Sequence, residues 1–91
     1  MLIFRVHAVK RMVERHIHEN DVKMVLNEGD VIEDYPDAIP YPARLMLAWI
    51  GGRPLHVVSA DDREGEHTFI ITVYEPDERE WEVGFRNRRQ Q

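Results

Sequence analysis

The chain of 91 residues contains no cysteine. That excludes disulfides, zinc–thiolate sites and thiol nucleophiles together. It also has no apolar run near the roughly 20 residues of a membrane-spanning helix. Its start, Met1-Leu-Ile-Phe-Arg-Val, lacks the charged lead and long apolar stretch of a secretory leader. A cytoplasmic protein with no membrane contact is the expectation. Glycine-rich phosphate loops, a Gly-x-Ser-x-Gly elbow, internal repeats and low-complexity tracts are all missing. The length allows a single domain, 1–91, with a tail frayed from about residue 87. A chain this size buries only about 60–65% of its unfolded surface, which leaves room for one core and one shallow site. No separate cofactor domain fits, and no cofactor is expected.

The net charge is −5, but its distribution says more than its sum. Residues 1–18 set Arg5, Lys10, Arg11 and Arg15 against Glu14. Residues 19–37 and 61–82 are strongly acidic, while Arg44 and Arg53 are the only charged groups of 38–60. The tail adds Arg86, Arg88 and Arg89. Basic charge therefore lies at both ends and in the middle, and whether it converges depends on the fold. Scattered, solvated surface charge is the plain alternative.

Periodicity yields an α+β fold: two N-terminal helices packed on a mostly antiparallel sheet of about four strands. Leu2 to Val6 reads as a short strand or lead-in. Over residues 7–16, Ala8, Val9, Met12 and Val13 share one helical face, which marks them for burial. A second helix from about Glu19 carries Val22, Val25 and Leu26 as its apolar stripe, with Gly29 as the stop. His16 falls where a helix ends in left-handed conformation, so local backbone strain is expected there. Asp30 to Asp34 reads as a strand. Tyr35 to Pro42, with three prolines in eight residues, reads as an irregular loop. Ala43 to Ile50 and Leu55 to Ala60 read as strands joined by a two-residue Gly51-Gly52 turn. His67 to Tyr74 is a further strand, and Trp81 and Phe85 suit a short docking helix. With that turn, Leu47 pairs with His56 and Leu45 with Val58, so His56 shares a leucine-rich face. A three-residue loop would invert the assignment.

Three groups of residues could carry chemistry. His7, Arg11 and Arg15 follow at i, i+4 and i+8, one ridge of a helix, and arginine's donor fork suits phosphate. A solvated polar face is the plain reading of the same ridge. His56 interrupts an apolar run, where a histidine is either a hydrogen-bonded core residue or an acid/base group. Catalysis would need a polar companion, for which Tyr74, Arg53, Arg11 and His7 are candidates. His16-Ile-His18 is the one close histidine pair, and no partner spacing makes it a metal site. Trp81 reads as a core anchor rather than a base-stacking platform.

Three segments together resemble a known family. They are His7-Ala-Val-Lys-Arg-Met-Val-Glu-Arg15, Gly51-Gly-Arg-Pro-Leu-His-Val-Val58 and Thr72-Val-Tyr-Glu-Pro-Asp77 followed by Trp81. In order and spacing they resemble the prokaryotic domain of unknown function 4258, over roughly residues 3 to 86. The resemblance implies a barnase- or RelE-like nuclease fold and, for members beside antitoxin-like genes, a ribonuclease toxin of a toxin–antitoxin pair. Matching polar positions are His7, Arg11, Arg15, His56 and Tyr74. The chain departs from its relatives in having His16 where glycine is usual, and in its acidity.

The leading expectation is a metal-independent ribonuclease-like toxin acting on RNA. His56 would serve as acid or base, His7 or Tyr74 as second proton carrier, and Arg11, Arg15 and Arg53 would hold phosphate. The rival is a non-catalytic interaction module that binds a basic partner such as an antitoxin, or self-associates along a sheet edge. Geometry discriminates between them. A buried His56 remote from the first helix favours the module, whereas His7, Arg11, His56 and Tyr74 lining one cleft favour the enzyme.

Overall fold

A computed structural model describes residues 1–90. In chain order the elements are β1 (Leu2–Phe4), α1 (Val6–Arg15), α2 (Glu19–Glu28), β2 (Asp30–Tyr35), β3 (Ala43–Ile50), β4 (Arg53–Asp61) and β5 (Thr68–Tyr74). The sheet has five strands, not four, in the order β1-β5-β4-β3-β2. The extra strand is β1, whose three residues run parallel to β5 while every other pairing is antiparallel. A segment that short gives no periodicity of its own, so its pairing is decided by the partner strand.

The Gly51-Gly52 turn forms as expected, with φ of 61° and 78°. Positive φ at both central residues matches the right-handed twist of the flanking strands, and glycine adopts it without a steric penalty. Leu47 therefore pairs with His56, Leu45 with Val58 and Arg44 with Ser59. Residues 36–42 form the irregular connection that their prolines require.

Both helices pack on one face of the sheet. Ala8, Val22 and Val25 meet Met46, Leu55, Val57, Ile70 and Val73 there, with Ile17 from the helix connection. The α2 stripe is as read from its period, but α1 is not. Ala8 is buried and Met12 half-buried, whereas Val9 is 44% and Val13 72% exposed. The helix sits near the sheet's β1–β5 edge, so only a narrow strip of it contacts the core. His16 ends α1 at φ 54°, ψ 46°, the left-handed strain that its position implied. Gly29 ends α2 in extended conformation (φ −78°) rather than left-handed. Its need for glycine is space: a Cβ there would lie 2.5 Å from the Val25 carbonyl oxygen and 2.8 Å from that of Leu47.

The opposite face is covered by residues 76–90, here called the strap. No helix forms in it. Trp81 bridges to Arg88, and hydrogen bonds from Glu82 N–H to the Asn87 carbonyl and from Arg89 N–H to the Glu80 carbonyl fold it back on itself. The segment from about residue 87 is thus tied down as far as Arg89, and Gln91 lies outside the described residues. Trp81 is 2% exposed and anchors the strap.

Candidate functional site

Two bulges decide which polar side chains meet the strap. On β5, Val58 pairs with Thr72 but Ser59 with Ile70, so Ile71 is passed over. On β2, Val31 pairs with Met46 but Glu33 with Leu45, so Ile32 is passed over. An extra residue in one strand reverses the alternation beyond it. Glu33 and Tyr35, like Thr72 and Tyr74, therefore face the strap alongside Leu45, Leu47 and His56.

His56 is fully buried, 0% exposed. Trp81 meets its ring edge-to-face at 4.5 Å and Tyr74 at 5.1 Å. Nε2 lies 2.9 Å from the Phe85 carbonyl oxygen and Nδ1 lies 3.1 Å from the Tyr74 hydroxyl. Burial pushes its pKa below the ordinary histidine value, partly offset by the Phe85 carbonyl and the Glu33 carboxylate. Burial likewise pushes the Tyr74 phenol up to about 12, so it stays protonated near neutrality.

A charged clamp holds the strap in place. The Arg88 guanidinium donates to both Glu33 carboxylate oxygens, at 2.9 and 3.1 Å, and lies over the Trp81 ring at 4.5 Å. Tyr35 donates to the same carboxylate. Burial raises the Glu33 pKa, but the Arg88 and Tyr35 hydrogen bonds outweigh it and the net shift is downward. Arg86 adds a hydrogen bond to Asp30 at 3.0 Å.

Beyond Phe4 the outer edge of β5 has no strand beside it, since β1 pairs only with Thr68 to Ile70. There an open cleft of about 400 Å³ lies between α1 and the strap. Arg11 and Arg15 line one side, Thr72 and Tyr74 the floor, and Glu80, Trp81 and Arg88 the other side, with Glu75 and Asp77 at its rim. Most of its charges are already engaged. Glu75 pairs with Arg53, Asp77 with Arg79 and Arg88 with Glu33, while Arg11 stands 3.9 Å from Glu14. Among the described residues neither Arg15 nor Glu80 has an ion-pair partner.

Of the six candidates read from the sequence, the fold brings Arg11, Arg15 and Tyr74 into this cleft. His56 stands behind Tyr74, out of solvent. His7 is exposed on α1 and does not line the cleft. Arg53 has a structural role: it pairs with Glu75 and donates to the Arg15 and His16 carbonyls, satisfying the end of α1. The strap residues Glu80 and Arg88, and Glu33 on β2, carry no motif. Only the clustering of arginines at the chain's end hinted at them. No group of three or more histidine, cysteine and carboxylate side chains stands ready for a metal among the described residues. No helix among them is long and apolar enough to cross a membrane.

Fold and cleft together define a small α+β domain with an arginine-lined cleft at the free edge of its sheet. Residues 4–75 match the family described as a domain of unknown function, DUF4258, and the chain belongs to that family. No curated protein and no solved structure matches the chain significantly. The matched region ends at Glu75, so the strap that completes the cleft lies outside it.

Proposed function

We propose that the cleft binds an RNA phosphodiester and that the chain is a metal-independent, ribonuclease-like toxin. The observation that carries this reading is the convergence of Arg11, Arg15 and Tyr74 on one cleft. Two guanidiniums one helical turn apart suit a phosphate and the charge that develops on it during transfer. Arg11, Arg15 and Arg88 are matched in number by Glu75, Asp77 and Glu80 around the cleft. Glu75 and Asp77 are engaged by Arg53 and Arg79, however, which leaves Arg15, unpaired among the described residues, toward a ligand phosphate. Helices on one face of a largely antiparallel sheet agree with the barnase- or RelE-like architecture that the resemblance implies. A cognate antitoxin would be the protein partner. Arg11 and Arg15 hold phosphate, Tyr74 handles the proton, and neither His7 nor Arg53 takes part.

The test is to incubate the chain with RNA in the presence of a chelator, beside an Arg11→Gln/Arg15→Gln double variant. Arg15 is exposed and Arg11 half-buried at the cleft, and neither belongs to the hydrophobic core, so the fold should survive the change. The parent should cleave and the variant should bind RNA at least tenfold more weakly, with a shallower salt dependence. Equal binding by the two, or no cleavage by the parent, sinks the reading.

The interaction module is the second reading, and a specific observation favours it. Val6, Val9 and Val13 form an exposed stripe along α1, and the burial of His56 fits a scaffold. The geometric discriminator is split, because Arg11 and Tyr74 line the cleft while His7 and His56 do not. Growth arrest on expression, relieved by the product of the neighbouring gene, separates a toxin from a passive binder.

A further inference from the structure

The two hydrogen bonds of His56 determine where the Tyr74 proton points. A carbonyl oxygen can only accept, so the 2.9 Å contact to Phe85 requires the proton to be on Nε2. The ring is fully buried, and the carboxylate that shares its face, Glu33, is already held by Arg88 and Tyr35. A second ring proton would bury an unpaired charge. The imidazole is therefore neutral, Nδ1 is bare, and the 3.1 Å contact is donated by the Tyr74 hydroxyl. That hydroxyl turns its hydrogen inward, leaving its lone pairs for the cleft.

We propose that His56 is a positioning residue that draws the Tyr74 proton inward, so that the phenolic oxygen serves the cleft as a proton acceptor. The inference rests on the ribonuclease reading and assigns the proton path at the same site. The ribose 2′-hydroxyl gives its proton to the Tyr74 oxygen as that residue's own hydrogen passes to His56 Nδ1. The 2′-oxygen bonds to phosphorus, the bond to the 5′-oxygen breaks, and the leaving oxygen takes a proton from water. The products are a 2′,3′-cyclic phosphate and a 5′-hydroxyl. His56, briefly an imidazolium, returns its proton through Tyr74 to the hydroxide so formed. The charged and titratable groups on the face around that imidazolium are Tyr74 from β5, Glu33 and Tyr35 from β2 and Arg88 from the strap. β3 contributes Ala43, Leu45, Leu47 and Trp49 to this face, none of them titratable.

His56→Asn separates the role from simple packing, because its amide oxygen can still accept from Tyr74 but cannot take the proton. The expected result is a kcat about 100-fold lower, with RNA affinity unchanged and the limb of the pH profile that reports base ionisation abolished. Tyr74→Phe should match it. An Asn variant as active as the parent overturns the proposal and leaves the ribonuclease reading intact. If the variant does not fold, nitrogen NMR of the His56 ring in the parent decides. Nε2 protonated and Nδ1 bare at neutral pH is expected, and the reverse tautomer overturns the proposal. A parent that cannot cleave RNA removes the reading and the catalytic step with it, while the ring tautomer is still judged separately by NMR.

Discussion

The two faces of the sheet are built from the same strands by different chemistry. The helix face is aliphatic but for the buried hydroxyl of Ser59: Met46, Leu55, Val57, Ile70 and Val73 meet Ala8, Val22 and Val25. The strap face places His56, Tyr74, Glu33 and Tyr35 among leucines, under an indole and a guanidinium. Buried polar groups hold their place only if every donor and acceptor is paired, so an aliphatic face suffices for stability alone. The difference points to the helix face as the source of folding energy and the strap face as the place where function is arranged. It also predicts unequal responses to substitution and pH.

The largest effects should come from one deletion on each face. Leu55→Ala removes a fully buried side chain beneath the helices and should cost about 2–5 kcal/mol. Trp81→Ala should cost about 3–5 kcal/mol and, unlike Leu55→Ala, should expose His56 and disturb the cleft. Chemical denaturation gives the energies, and RNA binding by the surviving folded fraction gives the contrast. If both variants lose binding in step with stability, the division of labour between the faces is wrong.

Of the two faces, acid should act on the strap face and not on the helix face. The lowered Asp62 carboxyl, held by His67, lies in the β4–β5 turn outside both. The folded pKa values of His56 and Glu33 both lie below their ordinary 6.5 and 4.5. In that direction the unfolded chain binds more protons, so stability is full above the ordinary values and is lost as pH falls. The loss should begin below about pH 6.5 through His56 and deepen below about 4.5 through Glu33. Thermal unfolding followed between pH 8 and 4 checks this. His56→Asn should flatten the first part of the curve, and a variant curve as steep as the parent's would reassign the loss.

Arg88→Ala tests the clamp itself. The Arg88 side chain is 56% exposed and that of Glu33 24%, so losing their pairing and the indole contact should cost about 1 kcal/mol. Amide hydrogen exchange should quicken at Glu82, Phe85 and Arg89 and stay unchanged at Val57 and Val73. Uniform quickening would show that the strap is not a separately opening unit.

The hairpin was readable from sequence because two glycines define a turn type, and the turn type defines the pairing that places His56 beside Leu47. The strap face as a site was not readable. Period-two alternation carried through β2 would turn Glu33 toward the helices, and the same alternation carried from Phe69 would turn Tyr74 away from His56. Each bulge reverses that assignment, and neither Ile32 nor Ile71 advertises a bulge by residue type. The Glu33–Arg88 pair joins positions 55 residues apart, beyond the reach of any local spacing rule. The ridge of α1 was legible for Arg11 and Arg15, whereas His7, two turns from Arg15 on the same ridge, is exposed and does not line the cleft.

The smallest predicted effect concerns the helical stripe that periodicity assigns to the core. Val9 and Val13 lie on the apolar side of α1, yet both are exposed because the helix rests near a sheet edge and offers only Ala8 and Met12 inward. Exposed positions contribute little transfer energy, and glutamine is a better helix former than β-branched valine. Val9→Gln/Val13→Gln should therefore change stability by less than about 0.5 kcal/mol, as measured by urea unfolding. RNA cleavage should be equally untouched, since neither residue lines the cleft. A loss of several kcal/mol would mean that α1 packs deeper than its exposure indicates, and the helix face would then extend to the sheet edge. Intact stability with lost partner binding would instead make the valine stripe an interaction surface, giving the helix face a function of its own and breaking the contrast between the two faces.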